Sequence, residues 1–144
     1  MNISDKLSAL DNKYPVLFAV LRVALGLILA IRGISFLTTI QPLYYLIKDS
    51  RLNEFNIDMP LALFVCWAHT LGGTFIVLGL LTRIAVWVQI PIVLGAIFFI
   101  NYNNLLFTYS DLLLAIVVLI LLILFAFIGG GKISMDNYVK GHLL

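Results

Sequence analysis

Apolar residues run along this chain in four long stretches, the first three interrupted by isolated polar side chains and all separated by polar segments. A helix rises 1.5 Å per residue, so about 20 mostly apolar residues cross a bilayer core of roughly 30 Å. The pattern predicts a first span from Pro15 to about Thr38, with Pro15 suited to the first helical turn. A second runs from Pro60 to about Leu81, again opened by a proline, after Asp58. The third, from about Ile84 to Ile100, is short and carries Pro91 where a kink is expected. The fourth runs from Asp111 to Ile128 and is stopped by Gly129-Gly130-Gly131. Only Thr82 and Arg83 join spans two and three, which makes them antiparallel neighbours. Between spans one and two, TTIQPLYYLIKDSRLNEFNID puts Leu43, Leu46 and Ile47 on one side of a short helix flanked by Tyr44 and Tyr45. That is the pattern of a helix lying in the membrane interface.

Glycines suggest how the spans meet. Gly26 and Gly33 are seven apart in span one, as are Gly72 and Gly79 in span two. Seven residues are two turns of a left-handed crossing, so each pair marks a face where backbones approach; general glycine richness of membrane helices is the alternative. The expected fold is an all-α integral membrane four-helix bundle with left-handed packing. One membrane domain takes in residues 1–144, with the interfacial helix between spans one and two.

Composition supports this class. The chain is 62% hydrophobic and 11% charged, with a mean hydropathy of +1.11. Soluble domains average about 45–50% apolar and roughly 25% charged, so a water-soluble fold is excluded. The formal charge of +2 is small and scattered, which argues against a nucleic-acid partner. The one cysteine, Cys66, can form neither an internal disulfide nor a CxxC pair. The opening MNISDKLSALDNKYP is polar for too long to be the basic start of a signal peptide, so the first span is expected to be retained. Lys6, Lys13, Arg83, Lys132 and Lys140 fall on one side of the spans, against Lys48 and Arg51 on the other. That bias predicts a multi-pass membrane protein with both termini cytoplasmic.

Ionisable residues within spans cost about 2.5–3.5 kcal/mol each on insertion scales, so each needs a reason. Arg22, Arg32, His69 and Gln89 are the polar candidates, with Asp111 at the mouth of span four. Counting helical rise puts Arg22 roughly 10 Å and Gln89 roughly 7.5 Å from the cytoplasmic edge, a level at which they can meet. From the opposite edge Arg32 lies roughly 9 Å and His69 roughly 14 Å deep, with Asp111 at the surface. There a cation, an anion and a titratable ring can surround a small polar cavity. Each has a plainer role open to it. The arginines can snorkel, Asp111 can cap its helix, and Gln89 and a neutral His69 can bond to a neighbouring helix.

What such a cavity would take is narrowed by chemistry. His142, in the tail, is the only other histidine, which argues against bis-histidine haem. HxxxH, ExxH and paired cysteines are missing, so no metal site is expected. No catalytic nucleophile is identifiable. A quinone fits better, because its carbonyls need donors and its ring needs apolar walls. His69, Arg22 and Gln89 are the candidate donors; Trp67, Phe64 and Phe75 are the candidate walls.

Three stretches resemble the DoxX family. SDLLLAIVVLILLILFAFIGGGKISMDNYV, an acidic residue, an apolar helix, a glycine turn and Ser-x-Asp, resembles that family's ending. LRVALGLILAIRGISFL, with Arg22, Gly26 and Gly33, resembles its first helix. GGTFIVLGLLTRIAVWVQIPIVLGAIFF resembles its central hairpin. The likeness extends over about residues 16–139. It implies a bacterial-type four-helix membrane protein linked to redox systems, since the family's relatives include the small subunit of thiosulfate:quinone oxidoreductase. The wider group also holds proteins of methylamine utilisation, redox-stress membrane complexes and a eukaryotic cargo receptor. Two departures stand out: Phe36 where many relatives carry lysine, and His69 where many carry an acid. The expected function is an accessory membrane subunit of a quinone-linked redox system. It would sit in the lipid bilayer with a soluble oxidoreductase or another membrane subunit as partner. A non-enzymatic scaffold or assembly partner is the alternative. A small transporter is a weaker third, for want of an internal repeat.

Overall fold

The computed structural model describes residues 2–49, 54–100 and 109–143. Arg51, counted above for orientation, lies outside the described residues. Among those described the chain forms α-helices and no strand. They are α1 (Ile3–Lys13), α2 (Pro15–Thr38), α3 (Ile40–Lys48), α4 (Asp58–Leu78), α5 (Thr82–Gly95), α6 (Tyr109–Ile128) and α7 (Met135–Leu143). Helices α2, α4 and α6 are long and apolar enough to cross a membrane, while the apolar stretch Thr82–Phe98 is shorter. Pro91, inside α5, has no N–H to donate, and five residues later the helix loosens into a π-helical turn, Ala96–Ile100.

Burial sorts α2 into two faces. Phe18, Arg22, Leu25, Gly26, Leu29 and Gly33 point inward at spacings of one, three and four, while Val20, Leu27, Ile31 and Ile34 stay exposed. A long exposed apolar stripe is a liability in water and suits lipid tails. The main core joins Leu25, Leu29 and Ile76 to Val86, Leu122 and Phe125. In a second cluster, Leu43 and Ile47 of α3 pack on Ala62 and Cys66 of α4.

Helices α2 and α4 approach through glycine. A Cβ on Gly26 would lie 2.7 Å from the Gly73 carbonyl oxygen, and one on Gly73 would lie 2.7 Å from that of Gly26. Gly33 rests in the same way against the Thr70 backbone. The α4 face in this contact is therefore Thr70 and Gly73, not the expected Gly72 and Gly79. Gly72 instead makes room for the Gln89 side chain from α5. Gly79 ends α4 in the left-handed conformation, φ 69°. Spacing alone does not separate these roles, because close packing and helix termination both favour a residue without Cβ.

The polar ends of the chain are helical too. The Asn2 N–H donates to the Asp5 carboxylate at 3.1 Å at the start of α1. Ser134 Oγ accepts the Asn137 N–H at 3.2 Å and so caps α7. These two helices lie at one end of the molecule. Asp11 on α1 accepts the Lys132 N–H at 3.1 Å, just past α6. Asp136 on α7 accepts from Leu81 N at 2.7 Å and Thr82 N at 3.0 Å. This contact also supplies what α5 lacks, since Leu81 at its N-cap position has φ 49° and no capping side chain.

Candidate functional site

The five polar candidates fall into two groups. At the terminus end, Arg22 is buried, and its Nη1 donates to the Gly130 carbonyl and, at 2.8 Å, to that of Ile133. Helix α6 ends here, so Arg22 places positive charge beside the negative end of that helix. Gln89, fully buried on α5, gives its Nε2 hydrogens to the Ala68 carbonyl of α4. The expected meeting of Arg22 with Gln89 therefore does not occur. Equal depth placed the two on one level, but the faces they project from send them to different neighbours.

At the other end, Arg32 of α2 and Asp111 of α6 form a salt bridge at 3.0 Å, with side chains 43% and 31% exposed. His69 of α4 is buried beneath them, its ring centroid 6.5 Å from that of Phe36. Its Nδ1 is buried without a hydrogen-bond partner among the described residues. Arg32, Asp111 and His69 all border a cavity of about 990 Å³. The walls are otherwise mostly apolar, drawn from all of α2 to α6: Leu29, Phe36, Leu43, Leu46, Phe64, Val88, Pro91 and Val118 among them. Small-molecule sites commonly have this form, with volumes of about 300–1,000 Å³ and a few convergent polar groups.

Of the expected donors, His69 borders this cavity and Arg22 and Gln89 do not. Of the expected aromatic walls, Phe64 is present, whereas Trp67 is exposed and Phe75 packs against the main core. The α3 contribution was the larger omission. Its apolar side was legible as a helix face, but not that the face closes a cavity. Asp11 gave no signal, since an acid in a polar opening segment looks solvated. Asp136 was visible within Ser-x-Asp, though its hold on the Leu81–Thr82 turn was not.

Apolar faces turned outward, with ionisable side chains turned onto carbonyls, each other or a cavity, define an integral membrane protein. A family model described as DoxX matches residues 17–102, and this chain belongs to the DoxX family. That match contains Arg22, Arg32, His69 and Gln89 and ends before α6, so Asp111 lies beyond it. No curated protein and no solved structure matches the chain.

Proposed function

We propose that this protein is the membrane component of a quinone-linked redox system and holds a quinone-class ligand between its helices. The observation that carries this reading is His69 Nδ1, buried and unpartnered beside a cavity of about 990 Å³. An unsatisfied buried polar atom costs about 1–3 kcal/mol, and a ligand oxygen or hydroxyl would remove that cost. His69 then orients the ligand head, Arg32 offers further donors, and Asp111 holds Arg32 in place. Leu29, Phe64 and Val118 keep water from an apolar ring. A bound quinone supplies the capacity to accept and return electrons, which a soluble oxidoreductase or second membrane subunit would exchange with it. In this reading α2, α4, α5 and α6 form a left-handed four-helix bundle in the inner membrane, α3 lies in the outer interface, and both termini are cytoplasmic.

The test is binding of a short-tailed ubiquinone analogue to the purified chain in neutral detergent, comparing wild type with His69→Leu. We expect the variant to lose on the order of tenfold in affinity, about 1.4 kcal/mol. Its thermal stability without ligand should stay level or rise, because an unsatisfied buried group has gone. Equal binding by the variant would remove His69 from the site. Absence of binding by wild type would favour the scaffold.

A further inference from the structure

We propose that a second pocket, at the terminus end of the molecule, binds the phosphate headgroup of an anionic phospholipid. The pocket, about 380 Å³, lies where α5, the Gly129–Gly131 turn and α7 converge. Three cations border it: Arg83 of α5, Lys132 just past the glycine turn, and Lys140 of α7. All are exposed, and among the described residues none forms a salt bridge. Among the described residues Arg83 donates only to the Phe127 carbonyl, at a long 3.4 Å, and so keeps donors for a phosphate.

Of the two carboxylates at the pocket, Asp136 is fully engaged and Asp11 is engaged through one oxygen. Both oxygens of Asp136 accept backbone N–H groups, and Asp11 accepts the Lys132 N–H with Oδ2, while its Oδ1 is buried beside Gly131 with no hydrogen-bond partner among the described residues. Arg22, from inside the bundle, donates to the Gly130 and Ile133 carbonyls on either side of Lys132. The acids are thus held by backbone N–H groups, and among the described residues the three outer cations border the pocket with no salt-bridge partner.

The glycine turn gives the site its shape. Gly129, with φ 77°, lets Arg83 lie against it; a Cβ there would sit 3.0 Å from Arg83 Nε. One side of the rim, Leu81, Ile84 and Ile128, is apolar. Ile84 borders the pocket, and Ile84, Trp87 and Val88 form an exposed stripe down α5 at helical spacing. A free phosphate would have no use for that stripe, whereas acyl chains would cover it. Basic pockets between membrane helices beside an anionic leaflet suit acidic lipids, at about one order of magnitude in affinity per one or two cations.

Native mass spectrometry of the full chain released from mixed phosphatidylglycerol–phosphatidylcholine micelles tests this. Wild type should retain phosphatidylglycerol in preference. The pair Arg83→Gln and Lys140→Gln should lower that preference roughly thirtyfold. A control pair of equal charge, Lys6→Gln and Lys48→Gln, should keep it, and all three proteins should melt alike in phosphatidylcholine alone. Equal losses in both pairs, or none in the pocket pair, would overturn the assignment in favour of diffuse charge. Displacement of the lipid by inorganic phosphate at matching concentration would overturn it in favour of a soluble anion. Neither result depends on whether the large cavity binds a quinone.

Discussion

Replacing Arg22 with leucine would remove the donor on which the Gly130 and Ile133 carbonyls rely. A hydrogen bond to a charged group contributes about 1.5–3 kcal/mol, so unfolding in detergent should show a loss of that order. Greater stability in Arg22→Leu would mean that desolvating the guanidinium outweighs its bonds. The reason for singling out Arg22, Arg32, His69, Gln89 and Asp111 was legible in the sequence, because lipid excludes such groups unless something holds them. Their partners were only half legible. Helical rise gives depth, and depth put Arg32 beside Asp111, which do pair at 3.0 Å. Depth carries no rotational information, so it also put Arg22 beside Gln89, whose hydrogen bonds go elsewhere. The buried Nδ1 of His69 is likewise a property of packing that no single stretch of sequence contains.

Asp136 makes the corresponding case for elements, since α7 supplies the cap that α5 does not carry. Asp136→Ala should cost about 0.5–2 kcal/mol, the range of a lost helix cap. Amide exchange at Leu81 and Thr82 should rise before any amide in the middle of α4 does. Unchanged exchange at those two positions would show that water caps α5 equally well. The apolar helices were legible because their stabilisation is largely local: intrahelical hydrogen bonds and lipid-compatible side chains. Helices α1 and α7 were not, since they are tied by contacts distant in sequence, such as Asp11 to the Lys132 N–H. The π-helical turn after Pro91 was hidden for a related reason. A proline announces a missing donor but not how the backbone beyond it adjusts.

At the scale of the molecule, hydrogen bonds fix a relation that charge counting alone leaves open. Asp11 to Lys132, and Asp136 to the Leu81–Thr82 turn, hold both terminal helices and the α4–α5 turn at one end. Arg83, Lys132 and Lys140 collect at that same end, and the pair Arg32–Asp111 lies at the other. Positive residues beside spans are retained in the cytoplasm, so the whole end should be cytoplasmic. A reporter active only outside should then be silent when fused after Leu144 and active when inserted at Asn53. Both fusions must be read, because the hydrogen-bonded end turns as a unit and one fusion cannot separate inversion from local disruption. The opposite pattern would turn the molecule over and open the His69 cavity toward the cytoplasmic leaflet. The phospholipid pocket would then face the outer leaflet. A cytoplasmic oxidoreductase would meet the end that carries Arg32 and Asp111, instead of the end that carries the termini.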